Sequence, residues 1–222
     1  MGGGIEVAKP LHHGVSLAGR ELIHEMNRLG MLVDLAHTSH ATQVAVLGGN
    51  STWEGSRAPP IFSHSSAYAL CPHPRNVRDD VLELVKKRNS IVMVNFSPDF
   101  ISCVADPDNA HGLPKFVEET NTQEHVVDHI VYIGEKIGYD YVGLGSDFDG
   151  IPSTPRGLED VSKFPELVAE LLRRGVSDED AAKVVGGNIL RVWKEVDRVA
   201  EQMQRAGESP LEDEFKFDLG VE

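Results

Sequence analysis

Met31-Leu-Val-Asp-Leu-Ala-His37 is a short apolar run that ends on a histidine, and two other segments repeat its pattern. Pro60-Ile-Phe-Ser-His64 also closes on a histidine, and Tyr141-Val-Gly-Leu-Gly-Ser-Asp147 closes on an aspartate. Apolar runs of this length, bounded by Gly, Pro or polar positions, read as buried strands. Helical patterns lie between them. In a βα-repeating protein the loops after the strands converge on one face, where ligands and catalytic groups collect. Two imidazoles and a carboxylate at three such positions point to a hydrolytic metal site.

Outward from these segments, residues 14–30 carry a helical apolar pattern with Gly30 as its C-cap, leading into a strand at 31–36. A helix at 41–47 precedes the strand at 60–63, and a helix at 79–88 precedes the clearest strand, 91–96, five of whose six residues are apolar. A loop containing Pro and Asp follows, then a helix at 122–137 and a fourth strand at 141–144. The remainder reads as helical. Ser162 caps a helix with Pro165 in its first turn, Ser177 and Asp180 make a capping-box-like start, and Gly186-Gly187 separates a final helix reaching about Gln204. The acidic tail, 206–222, is expected to be extended or disordered. Four βα units imply a parallel α/β assembly in a single domain. Four strands make either an open sheet or half of a closed eight-stranded barrel, which typically needs ~250 residues.

The 222 residues suffice for one domain with a substantial core. A net charge of −14 argues against binding a phosphate backbone, so no nucleic-acid partner is expected. No stretch has the apolar length to span a membrane, and Met1-Gly-Gly-Gly-Ile-Glu6 lacks the cationic and apolar regions of a signal peptide. At face value the chain is cytosolic. Two cysteines, Cys71 and Cys103, are too few for a cysteine-rich structural zinc site.

His37 and His64 are placed as a pair of metal ligands, the alternative being local hydrogen-bonding caps at strand ends. Asp147 sits in a small-residue turn, where a carboxylate can take a proton from an activated water or bind a substrate ammonium. Its alternative is an Asx-turn residue, a role that suits Asp149 better. Arg75, in the loop after the second strand, can hold a substrate carboxylate through two hydrogen bonds or be a surface arginine. His125 and His129 have metal-clamping spacing but lie inside a helix without the Glu of an HExxH motif, so they read as structural or surface residues. No phosphate-binding glycine loop and no Gly-x-Ser-x-Gly elbow occurs.

The segments Asn27–Ser39, Arg57–Ala67, Arg75–Asp80, Gly145–Gly150 and Gly186–Val192 resemble, in order, the motifs of the renal, or membrane, dipeptidases. The resemblance spans residues 14–205. It implies a zinc metallopeptidase with a (β/α)8 TIM-type barrel, in which an activated water attacks the peptide bond of a dipeptide. It assigns His37 and His64 to the second zinc of a binuclear pair, Arg75 to the substrate carboxylate, and Asp147 to the substrate and its proton transfer. It also implies a disulfide between Cys71 and Cys103, and with it a secreted or membrane-anchored ancestry. The family's upstream His-x-Asp pair, bridging glutamate and further histidine have no counterpart here. The chain is therefore expected to be the C-terminal part of such a barrel: four βα units plus extra C-terminal helices, with the N-terminal half absent. On that expectation it either joins the missing half, self-associates, or serves as a non-catalytic interaction or regulatory protein. A related lactonase or deaminase is disfavoured by the Arg75 clamp.

Overall fold

The computed structural model describes residues 12–49 and 53–212. Its strands are β1 (Ile61–Phe62), β2 (Ile91–Val94), β3 (Cys103–Val104), β4 (Lys115–Phe116) and β5 (Val142–Leu144). Its α-helices are α1 (Leu17–Leu29), α2 (His40–Val46), α3 (Asp79–Lys87), α4 (Pro98–Ile101), α5 (Gln123–Ile137), α6 (Phe164–Arg173), α7 (Asp178–Ala182) and α8 (Asn188–Arg205).

β1, β2 and β5 form a parallel sheet in that order, with Ile61 opposite Ile91 and Val92 opposite Val142. The strand expected at 31–36 is reduced to a single parallel bridge, Asp34 to Ile61. Leu35 N–H donates to Ile61 O at 2.7 Å and Ile61 N–H donates to Val33 O at 2.9 Å. The ladder then stops for a local reason. The Ser63 N–H that would continue it bonds Asp34 Oδ1 instead, and Leu35 O is taken by Thr38. The four segments still lie side by side and point the same way, so their C-terminal ends share one edge. The stretch read as a plain loop after 91–96 contains α4 and an antiparallel ribbon, β3 paired with β4.

The sheet is covered on both faces, sorted by the period-two alternation of strand side chains. Phe62, Val92, Val94 and Val142 join the larger core with Val81, Leu82 and Val85 of α3 and Val126, Ile130 and Ile133 of α5. Ile61 and Ile91 pack with Val192, Val196, Val199 and Met203, which form one stripe of α8 at helical spacing. Each fully buried aliphatic side chain stabilises by roughly 1.5–3 kcal/mol.

Polar side chains then fix the helices to the sheet. Asn188, at the start of α8, donates to Tyr139 O and Val142 O at 2.7 and 2.9 Å. Arg191 reaches the carbonyls of Asn89, Ser90 and Asp140, at the edge opposite the histidines. Gly30 caps α1 at φ 76°, and the Ser177 hydroxyl accepts the Asp180 N–H as expected. Ser162 does not cap α6: it lies in a 3-10 turn, Val161–Lys163, where Asp160 accepts its N–H. Gly186 leaves helical geometry between α7 and α8. Of the tail, residues 208–212 run along α1, Glu208 pairing with His24 and Arg57 and Leu211 N–H donating to Glu25. Residues 213–222 lie outside the described residues.

Candidate functional site

The shared edge brings His37, His64 and Asp147 together. His37 Nε2 lies 2.8 Å from His64 Nε2, and Asp147 Oδ2 stands 3.9 Å from the same His64 nitrogen. His37 (φ 62°) and Asp147 (φ 60°) both adopt left-handed backbone conformations, which a side chain disfavours. Such strain persists only where the surroundings over-determine it, and it clusters at functional sites. Two glycines allow the approach. A Cβ on Gly145 would collide with the Ser63 carbonyl oxygen, and one on Gly150 with the Asp147 carboxylate. The first lets the end of β5 close on the end of β1, and the second leaves room for the carboxylate.

Arg75 enters from the loop after β1. Its Nη2 donates to His64 O at 3.3 Å, and its guanidinium lies 5.2 Å from the centre of the Phe100 ring. Its Nε is buried and has no hydrogen-bond partner among the described residues. Burial lowers the Arg75 pKa, opposed by the fields of Asp147 and Asp34, and an arginine remains charged through such a shift. Burial first, then Arg75 and His64, holds His37 below its ordinary pKa, while Asp147 pulls the other way. The net result favours neutral imidazole, the form that binds metals.

Three participants lie outside the set singled out in the sequence. Asp34 Oδ1 accepts the N–H groups of Ala36 and Ser63, both at 3.0 Å, and its Oδ2 accepts the Ser63 hydroxyl. Ser63 Oγ lies 2.6 Å from His64 Nδ1. Phe100 supports Arg75 and packs at a tilt against His73, whose pKa burial, then Arg75, pushes down to about 4. A lone carboxylate inside an apolar run was the available signal for Asp34. Nothing local marks Phe100.

The sequence profile of the membrane dipeptidases, peptidase family M19, matches residues 5–207. This chain belongs to that family. Dipeptidase aclJ of Aspergillus oryzae is 51% identical over 208 residues, which cover 94% of this chain and 44% of that protein. Dipeptidase tcpJ of Claviceps purpurea is 49% identical over 191 residues, covering 86% and 40%. A metallopeptidase from Rhodobacter sphaeroides, crystallised with a phosphinate mimic of the dipeptide L-Ala-D-Ala, superposes with a TM-score of 0.68 at 28% identity. That match covers 83% of this chain and 48% of the other. The probable dipeptidase PvdM of Pseudomonas aeruginosa gives 0.70 at 26% identity, over 84% and 56%. The chain spans less than half the length of the two fungal dipeptidases.

Cys71 and Cys103 are joined in a disulfide, with Cα atoms 4.9 Å apart. It ties the Arg75 loop to β3. His129, fully buried, makes a second tie: its Nδ1 accepts Ala67 N–H at 3.0 Å and its Nε2 donates to Ile101 O at 2.9 Å. His125 pairs with Asp128 at 3.1 Å. Both are structural in this arrangement. A separate open concavity of about 390 Å³, bordered by His40, Tyr68, Arg78, Asp79 and Asp80, contains none of His37, His64, Arg75 and Asp147. Its acidic groups are already engaged, Asp80 by His40 and Asp79 by Tyr132 and Lys136. Among the described residues no group of three His, Cys, Asp or Glu is placed to hold a metal ion, and no helix is long and apolar enough to cross a membrane.

Proposed function

We propose that this chain is the C-terminal part of a (β/α)8 dipeptidase barrel whose activity is zinc-dependent hydrolysis of dipeptides. The observation that carries the reading is the facing pair of imidazole Nε2 atoms, 2.8 Å apart, beside Asp147 and Arg75 in a membrane dipeptidase sequence. The donor set suits a metal, since imidazole and carboxylate are zinc's common catalytic ligands. Tetrahedral ligation at ~2.0–2.1 Å places ligand nitrogens about 3.3 Å apart, so the pair needs to open only slightly. His37 and His64 would hold the ion. When bound, it supplies Lewis acidity toward the scissile carbonyl and lowers the pKa of water.

The remaining work falls to side chains. Arg75 offers a guanidinium with an unpartnered buried Nε, which fits the C-terminal carboxylate of a dipeptide through paired hydrogen bonds. Asp147 takes the proton of the attacking water or holds the substrate ammonium. Recognition of both charged ends selects free dipeptides over longer chains. The dipeptide mimic bound by the Rhodobacter sphaeroides relative supports that substrate class. The disulfide supports folding in an oxidising compartment.

Two imidazoles and one carboxylate fall short of a closed binuclear site. The 222 residues alone should therefore bind zinc weakly and turn over dipeptides negligibly, until a further segment, or a second polypeptide, supplies the missing ligands. The alternative to the enzyme is a non-catalytic dipeptidase-like interaction protein. Zinc calorimetry and dipeptide hydrolysis, with and without the complementing segment, separate the two. Zinc-dependent turnover that is restored by complementation and lost in His64→Ala and Asp147→Asn supports the enzyme. No zinc binding under either condition supports the interaction protein.

A further inference from the structure

We infer that Asp34 and Ser63 are positioning residues that fix the tautomer of His64 and join the two loops bearing the histidines. The inference rests on the metal reading above but concerns where one proton sits. An ionised carboxylate can only accept hydrogen bonds, so the single hydroxyl proton of Ser63 points to Asp34 Oδ2. Ser63 Oγ then has only lone pairs to offer His64 Nδ1, 2.6 Å away, and the imidazole must carry its proton on Nδ1. The Nε2 lone pair is thereby left free and directed at the point shared with His37 and Asp147.

The same carboxylate fixes the backbone. Asp34 Oδ1 gathers the N–H groups of Ala36, just before His37, and Ser63, just before His64. One side chain thus sets the separation of the two loops as well as the direction of the proton chain. His37 is different. Its Nδ1 makes no hydrogen bond among the described residues, so its ring can donate Nε2–H to His64 without a metal and change tautomer when one binds. Ligands held this way are oriented by neighbours that do not touch the metal, and losing such a neighbour typically costs 10–100-fold in metal affinity.

Asp34→Asn is the decisive variant because it keeps the shape and reverses the protons. The asparagine Nδ2 would donate to Ser63 Oγ, turning the Ser63 proton toward His64 Nδ1 and moving the imidazole proton to Nε2, where it blocks the lone pair. Nitrogen-15 NMR of the metal-free 222-residue chain at neutral pH should show His64 as the Nδ1–H tautomer. Asp34→Asn should show Nε2–H, and Ser63→Ala a mixture. Ser63→Thr, which keeps the hydroxyl, should behave as wild type. Zinc titrated into the same samples should bind ~10–100-fold more weakly to Asp34→Asn than to wild type, with thermal unfolding unchanged. A wild-type His64 protonated on Nε2, or a tautomer unmoved by Asp34→Asn, overturns the inference whatever zinc does. If His64→Ala leaves zinc binding intact, the metal reading fails, while the tautomer measurement still decides the role of Asp34. Should Asp34→Asn not fold, the Ser63→Ala and Ser63→Thr pair decides by the same NMR signature.

Discussion

His37 with His64 and His125 with His129 are two histidine pairs of similar ring separation, 4.9 and 5.6 Å between centroids, with opposite chemical prospects. The second pair has the sequence spacing usually associated with metal clamps, yet three of its four nitrogens are engaged. His129 is held on both sides by backbone groups, and His125 is paired with Asp128. The first pair is 27 residues apart and keeps both Nε2 atoms facing one point. Proximity therefore does not make a ligand. A nitrogen becomes available only when the protein's own hydrogen bonds are met elsewhere.

The largest effect should come from disabling the open pair. Changing His37 and His64 together to Ala should weaken zinc binding by at least ~100-fold, while His125→Ala leaves it unchanged. Calorimetry in which the two variants behave alike would erase the distinction. The converse holds for stability. His129→Ala leaves Ala67 N–H and Ile101 C=O buried without partners, at ~1–3 kcal/mol each, and opens a cavity. A loss of about 3–5 kcal/mol in urea unfolding is expected, against less than ~1 kcal/mol for the exposed His37→Ala.

The disulfide ties the same region that His129 clips. Replacing Cys71 and Cys103 with Ser should cost about 3–4 kcal/mol by the chain-entropy estimate for a loop of 32 residues. The double and single variants should be non-additive with His129→Ala, because both ties hold the segments around 67–71 and 101–103. Strict additivity would mean that the ties act independently.

A further contrast lies in pH. Burial pushes His129 down to about 4 from an ordinary 6.5, even though its bond to Ile101 O works in the opposite direction. Between those values the unfolded chain binds a proton that the folded chain does not. The stabilising contribution of neutral His129 is thus full above pH 6.5 and is lost as pH falls toward 4. The total is about 3 kcal/mol at ~1.4 kcal/mol per pKa unit. His73, also held at about 4, adds in the same direction. An NMR titration in which His129 protonates near 6.5 would remove this term. Least affected should be His125→Ala, whose partly exposed pairing with Asp128 is worth under ~1 kcal/mol.

Much of the fold is legible without the structure. The apolar run 91–96 lies over β2, the α8 stripe follows helical spacing, and Ser177 and Gly30 end their helices as their side-chain chemistry dictates. Residues 31–36 make a single bridge in place of the strand their apolar run implies because Asp34 diverts the Ser63 N–H from the ladder, a competition that no local pattern reveals. The ribbon of β3 and β4 is not legible in the sequence for a related reason. Its residues lack an apolar alternation, and tertiary ties, including the disulfide and the Ser102 hydroxyl on Val117 O, hold it in place.

By itself the sequence determined the alternation of apolar segments with helices, several helix ends and the family motifs, because these depend on side-chain period, capping groups and residue identity along the chain. Tertiary structure decided which polar atoms remain free. It spent both nitrogens of His129 on distant backbone groups, placed Phe100 behind Arg75, and directed a proton from Ser63 to Asp34 so that His64 faces His37. The reason is physical: a hydrogen-bonding group is claimed by the best-placed partner in three dimensions, and spacing along the chain does not say which partner that is.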